Sequence, residues 1–307
     1  MALRKADPLA YEARLARANV EVVHSNLKGL MNSANISYLN DALSKKPDWL
    51  DIEYSLGRCY EEKDDFPNAI IHYRKAADFY KSKPKDKWAQ ESMMGIADCY
   101  YSLNRIDDCI KACEQLIAYD ANFFDPYYKL GRIYLDQSKY VEAVIQFDRC
   151  IQIGGNDKTT LANAYTYRAR AKKKLDKFDA AIEDVNKAFE VNPATKFGMW
   201  EKANIYHDNG KYYDAITYYK KAIDLYTADT ATLKTLYYWT AESYLNNKYY
   251  DSAARYVEKA IQINNNISIY HALLGDCHFL RYAYKNAIKS YNQSIIKAEK
   301  TTTPNQL

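Results

Sequence analysis

Apolar and polar positions along the chain alternate with a helical period, and the pattern repeats. LGRCYEEKDDFPNAIIHYRKA (from Leu56), LGRIYLDQSKYVEAVIQFDRC (from Leu130) and KANIYHDNGKYYDAITYYKKA (from Lys202) are one pattern written three times. In each, apolar residues return every three or four positions, stop at a short polar stretch such as Asp208-Asn209-Gly210 or Asn246-Asn247-Lys248, and resume. This predicts two amphipathic helices joined by a tight turn. A small residue recurs in the first helix at Gly57, Ala97, Gly131, Ala169, Ala203, Ala241 and Gly275, and twelve residues after each stands a second one: Ala69, Cys109, Ala143, Ala181, Ala215, Ala253 and Ala287. Three residues before the second set come Phe66, Ile106, Tyr140, Phe178, Tyr212, Tyr250 and Tyr284, which mark the entry to the second helix. Small residues at facing positions let two helices approach closely while larger side chains fill the flanks. One such hairpin cannot bury its apolar face alone, so each must stack on the next.

The Leu-Gly pairs Leu56-Gly57, Leu130-Gly131 and Leu274-Gly275, the following Tyr60, Tyr100, Tyr134, Tyr206 and Tyr244, the later pairs Tyr73 and Ala76, Phe147 and Cys150, Tyr219 and Ala222, and the closing Pro193 resemble the tetratricopeptide repeat signature. Lys172 and His278 depart from it at the first tyrosine, and Cys113, Val185 and Val257 at the second aromatic. The resemblance runs from Leu50 to Lys300 and implies an all-α, right-handed superhelical solenoid of about seven to eight helical hairpins, with a concave surface lined mainly by the first helices. Seven repeats are expected over residues 49–300, starting near 50, 90, 124, 162, 196, 234 and 268. The small residue of the first helix recurs at intervals of 40, 34, 38, 34, 38 and 34 residues, while the offset inside each hairpin stays at twelve. The extra residues therefore fall between hairpins, in Lys81 to Trp88, Gly154 to Leu161 and Tyr226 to Leu233, as a lengthened helix or a longer loop.

Residues 1–48 depart from the pattern. Asp7 and Pro8 suit a helix start, Leu9 to Val23 has amphipathic spacing, and a shorter helix is expected near Asn35 to Lys45, ending at Pro47; the pair reads as a degenerate hairpin capping the array. At the other end Tyr291, Ile295 and Ile296 are expected to leave apolar surface on the last helix, with a polar tail over 301–307. Either the natural chain continues or that end meets a partner, which makes self-association through terminal helices possible.

Composition narrows the function classes. Of 307 residues 48% are hydrophobic, so a disordered chain is excluded, and 9 Gly with 7 Pro are too few for an all-β protein or for glycine-rich phosphate loops. Lys and Arg total 43 against 39 Asp and Glu, and this formal +4 does not point to nucleic acid. The high count is 31 Tyr beside 9 Phe and 4 Trp, a residue suited to half-buried packing and to recognition surfaces. No apolar run has the length of a membrane span, and Met1 to Leu9 lacks the apolar core of a secretory signal, so a soluble cytoplasmic chain is expected, with a mature form whose signal was removed as the alternative. Cys59, Cys99, Cys109, Cys113, Cys150 and Cys277 fit neither a disulfide framework nor paired zinc knuckles and read as reduced core thiols, with no metal or cofactor expected.

Candidate chemistry is sparse. Cys109 and Cys113 share a helix face but occupy packing positions; His271 and His278 stand where sister repeats carry packing residues; His207 with Asp208 reads as a helix cap. No phosphate loop, HExxH or GxSxG is present, so no enzyme is expected. The strongest charge feature is Arg168, Arg170, Lys172, Lys173, Lys174 and Lys177, read as a solvated face complementing a helix end, with an anion or RNA site as the alternative.

What the repeat family implies instead is a groove. The corresponding side chains are Tyr54 and Arg58; Met94, Asp98 and Tyr101; Tyr128 and Arg132; Thr166, Arg170 and Lys173; Trp200 and Asn204; Tyr238 and Glu242. Aromatics beside Arg and Asn are the residues that dominate interface energetics. The expected function is a non-enzymatic scaffold holding a peptide segment or partner protein in this groove; the alternatives are an assembly subunit acting through its ends or convex face, and an anion or RNA binder using 168–177. The clamp by which co-chaperones of this family grip a heat-shock chaperone's C-terminal carboxylate is not expected, because its places hold Tyr54 and Arg58, Gly95, and Asp125 and Lys129.

Overall fold

A computed structural model of the chain describes residues 33–45, 51–82, 85–155 and 157–302, and within them every regular element is an α-helix. The helix expected over Leu9 to Val23 lies outside the described residues, as does the 303–307 part of the polar tail. Two compact units divide the chain, 1–137 and 138–307. The first holds α1 (Ser33–Lys45), α2 (Asp51–Glu61), α3 (Phe66–Tyr80), α4 (Lys87–Ser102), α5 (Ile106–Tyr119) and α6 (Phe124–Asp136). The second holds α7 (Tyr140–Ile153), α8 (Lys158–Lys174), α9 (Phe178–Val191), α10 (Lys196–Asp208), α11 (Tyr212–Leu225), α12 (Thr230–Asn246), α13 (Tyr250–Ile263), α14 (Ser268–Leu280) and α15 (Tyr284–Thr302). Within the first unit α2 packs with α3 and α4 with α5; within the second, α8 with α9, α10 with α11, α12 with α13, and α14 with α15, and each second helix lies against the next first helix of its unit.

The hairpin turns share one backbone device. Asp64, Asn104, Asp176, Gly210, Lys248 and Tyr282 all stand two residues before a second helix, with φ between 56° and 71°. The N–H of the following residue then reaches back five positions, from Asp65 to the Tyr60 carbonyl, from Lys211 to Tyr206 and from Tyr249 to Tyr244, at 2.8 to 2.9 Å. This closes the helix end with a left-handed residue, which glycine adopts freely and other residues only at a cost. Lys248→Gly is therefore expected to stabilise the second unit by about 1 kcal/mol, read as a higher urea midpoint with unchanged slope; a lower midpoint would contradict this account of the turn.

The alternating spacing is taken up by the first helices. α6, α10 and α14 have 13 residues each, whereas α4 has 16 and α8 and α12 have 17. The added turn sits at the helix start and is capped by an aspartate each time: Asp86 accepts from the Trp88 and Ala89 N–H groups, Asp157 from Thr160, and Asp229 from Thr232.

Close approach at the small residues lets a second-helix tyrosine pass between first helices. Gly57 and Gly95 both face the Tyr73 ring, where a Cβ would lie 2.6 and 2.7 Å from its carbons. Tyr219 packs with Ala203, Ala215 and Leu236 in the same way, and Tyr291 lies over Gly275, where a Cβ would sit 2.5 Å from the ring. The last contact corrects one expectation: Tyr291 is turned inward and half-buried, and only Ile295 and Ile296 of that trio are exposed.

Candidate functional site

In the first unit α2, α4 and α6 each present one face with the expected residues, all half-buried. Tyr54 stands edge-on to Trp88 at 5.0 Å and its hydroxyl accepts from Arg58 at 3.4 Å. Tyr73, threading between the glycines, donates to Glu61 at 2.5 Å. Burial pushes the Glu61 carboxyl above its usual range, and this tyrosine bond opposes the shift. Asp98 pairs with Lys129 at 2.6 Å, and the same ammonium lies 4.8 Å from the Tyr101 ring centre. Tyr128 stacks on Phe124 one turn earlier, and Arg132 lies one turn beyond Tyr128 on α6.

In the second unit the face is built by α8, α10, α12 and α14. Glu201 of α10 is completely buried and accepts from Arg170 of α8 at 2.7 and 2.9 Å, with Lys173 at 3.2 Å from its other oxygen. Lys173 also reaches Asp208 at 3.0 Å. Burial alone would raise the Glu201 carboxyl; Lys173 and Arg170 together hold it below its usual range. Asn204 accepts from the Tyr219 hydroxyl at 2.7 Å, repeating the role that Glu61 has with Tyr73. His207 meets Ser243 of α12 at 2.9 Å and stands edge-on to Trp239 at 5.3 Å, so it ties α10 to the next hairpin where a cap was expected. Trp200 stands edge-on to Tyr226, and Tyr238 stacks on Tyr270 at 5.5 Å while bonding Glu242. Burial raises both partners of that bond, Tyr238 to about 12.

The basic run is corrected by these contacts. Arg168 forks onto Asp184 at 2.5 and 2.9 Å and reaches Asp148 at 2.6 Å, while Lys172 meets Asp184 at 2.7 Å. Arg168 and Lys172 are thus partly buried and paired within the protein, as Arg170 and Lys173 are on the other side of the helix, and Lys174 and Lys177 are the exposed members. Lys173 is a support for the face rather than a side chain presented on it. Sequence reasoning missed Trp88, Glu61 and Asp276 and gave His207 another role; the last three share the register already used, four residues after Gly57, one after Gly275 and four after Ala203. Asp276 accepts from Tyr291 at 2.7 Å, the third instance of the threading tyrosine.

The cysteines and His271 are absorbed in packing. All six cysteines are buried and free, with Cys59 pushed by burial to about 11 and Cys99 and Cys277 to about 12. His271 is buried against the Asn265 carbonyl and side chain. Among the described residues no helix is long and apolar enough to cross a membrane.

Stacked hairpins meeting at small residues, with one face of aromatic and charged groups held from behind, define a helical-repeat protein. Family models described as tetratricopeptide repeat match residues 91–122, 124–154, 168–230 and 235–267, together just over half of the chain, and the chain belongs to this family. It is 22% identical over 179 residues to the human protein O-mannosyl-transferase TMTC1, a match covering 58% of this chain and 20% of that one. It is 23% identical over 243 residues to Hsp70-Hsp90 organizing protein 1 of Glycine max, covering 78% of this chain and 40% of that one. The chain thus spans well under half the length of these curated relatives. Among solved structures, the C-terminal part of a TPR repeat-containing protein from Cytophaga hutchinsonii aligns at a TM-score of 0.62 and 16% identity, covering 85% of this chain and 98% of that one. That likeness concerns the fold. The repeat fold supports a general role as a protein-interaction scaffold.

Proposed function

We propose that the first-helix faces act as a groove that holds an extended segment of a partner protein, and that binding rather than catalysis is the activity. The observation that carries this reading is a pair of atoms on neighbouring first helices: Trp200 Nε1 on α10 and Glu242 Oε2 on α12 are buried, and neither has a hydrogen-bond partner among the described residues. An unmade hydrogen bond at a buried polar atom costs about 1 to 3 kcal/mol, which a ligand making that bond recovers. An extended backbone offers both partners alternately, a carbonyl for the indole and an N–H for the carboxylate. Capture of a chaperone carboxylate is not part of the proposal: Gly95 faces the Tyr73 ring with no room for the asparagine of that clamp, and Lys129 is engaged by Asp98. Six reduced, buried thiols suit a reducing, cytoplasmic setting.

Glu242 supplies the test. Burial raises its carboxyl above the ordinary 4.5, with Asp208 adding to the shift and the Tyr238 bond opposing it. A raised acid favours folding below its unfolded value, and that contribution is lost as pH rises through the folded one. At neutral pH the carboxylate therefore works against the fold. Glu242→Gln is expected to leave the melting temperature at pH 7 equal or higher, with the difference gone near about pH 4, while partner affinity falls about tenfold, the loss of one charge-assisted hydrogen bond. A lower melting temperature at pH 7 with unchanged affinity would make Glu242 a structural residue and remove the support for the groove.

A further inference from the structure

One second helix lacks an apolar side chain that all the others carry. At the place filled by Ile117, Ile151, Phe189, Ile223, Ile261 and Ile295, α3 has Ala77. On α5 the next second helix has Ala112 at a place where His72, Gln146, Asp184, Tyr218 and Tyr256 stand in other hairpins. These two alanines border one cavity of about 360 Å³, floored by Met93, Ile96 and Tyr100 of α4. Its rim is charged and exposed. Arg74 and Lys81 border it from α3 and Lys111 from α5. Arg74 donates to the Tyr100 hydroxyl, a neutral group, and neither lysine has a partner among the described residues. Of the two rim carboxylates, Asp108 is taken up by Arg105 at 2.7 Å, which leaves Asp78 against three cations.

We propose that this cavity receives one apolar side chain of a separate protein, leucine to phenylalanine in size, from a segment in which acidic residues flank that side chain. The truncation at Ala77 leaves the room that an isoleucine or phenylalanine occupies in the other hairpins, and filling it removes apolar surface of both partners from water. The volume is at the low end for binding sites, which suits a single anchor residue. Charge decides between possible occupants. Three cations against one free carboxylate favour acidic groups over the rim, whereas a basic segment would face Arg74, Lys81 and Lys111. Because the cations stand on both sides, two on α3 and one on α5, the anchor needs an acid before and after it. A free anion would satisfy the rim but leave Met93 and Ile96 wet. The contact is small, so the affinity should be weak, with a dissociation constant on the order of tens of micromolar. The site lies between second helices and does not rest on the groove of the first helices.

The test is selection from a phage-displayed library of random dodecapeptides on the full chain, with counter-selection on Ala77→Ile. That variant restores the side chain of the other hairpins, so its melting temperature should be equal or higher, as expected when apolar space is filled. Peptides that ignore the cavity, including any held in the groove, bind both proteins and are removed. The survivors are expected to share a Leu, Ile, Met or Phe between Asp or Glu residues. Made as fluorescent synthetic peptides, they should bind Ala77→Ile at least tenfold more weakly than wild type. Lys111→Glu, at an exposed position, should keep native melting and weaken them about three- to tenfold, since like charges are brought together. A melting temperature lowered by Ala77→Ile would show that the space is not there and overturn the proposal. So would a selection that leaves no survivors, a consensus that is basic or lacks the apolar anchor, or peptides indifferent to Lys111→Glu.

Discussion

Glu201→Gln is expected to destabilise the second unit by about 3 to 5 kcal/mol, the range for removing one partner from a buried ion pair. The carboxylate is 0% exposed, and the cations it serves come from the neighbouring hairpin: Arg170 at 2.7 Å and Lys173, itself 8% exposed, at 3.2 Å. Without the charge, Lys173 keeps only Asp208 at 3.0 Å. The melting temperature should fall by roughly 10 °C. Because Glu201 is held below its usual range by its two cations, its contribution is present above the unfolded value and is lost as pH falls, so wild type and variant should converge in acid. Replacing Glu201 and Lys173 together by Leu and Met should recover much of the loss, since a well-packed apolar pair stands in for buried ions. In a stack where each hairpin touches only its neighbours, amide exchange should rise first in α8 to α12 and least in α14 and α15. A loss below about 1 kcal/mol would show that water reaches the pair, as for surface ion pairs.

The second large effect is on binding. Tyr238→Ala is expected to weaken the partner complex by about 2 to 4 kcal/mol, the range of an interface hot spot, while stability falls by about 1 kcal/mol for the lost stacking on Tyr270 at 5.5 Å. Tyr238→Phe keeps the stack and removes only the bond to Glu242, so its binding defect should be the smaller one. Trp200 packs against the cluster of Ala203, Tyr219 and Leu236, and Tyr238 against that of Ala241, Tyr270 and Leu273, so truncation at either mixes a packing loss with the binding loss, and Tyr238→Phe is the cleaner probe. Lys220→Ala and Lys259→Ala, on exposed positions of α11 and α13, should change affinity by less than about 0.5 kcal/mol.

The hairpins were legible because their cause is local. A small residue and its partner twelve positions later lie within one supersecondary unit, and helical period with a polar break is enough to find both. The first-helix register follows from the same spacing, which is why the places of Tyr54, Asp98, Asn204 and Glu242 are marked by the repeat alone. Interactions between hairpins were not legible in this way. Arg170 and Glu201 are 31 residues apart, and nothing in the run from Arg168 to Lys177 distinguishes a solvated face from one whose cations are taken up by Asp148, Asp184, Glu201 and Asp208. The turns were hidden for another reason: of the left-handed residues in the hairpin turns only Gly210 is a glycine, so Lys248 and Tyr282 carried no signal of their backbone.

A photo-reactive amino acid placed singly at Tyr238, Lys220 and Lys259, irradiated in native lysate and read by mass spectrometry, tests the groove of the second unit most directly. The account predicts that Tyr238 traps a partner through one contiguous extended segment, while Lys220 and Lys259 do not. Trapping of that partner from Lys220 or Lys259 alone would contradict it and move the binding surface to the second helices.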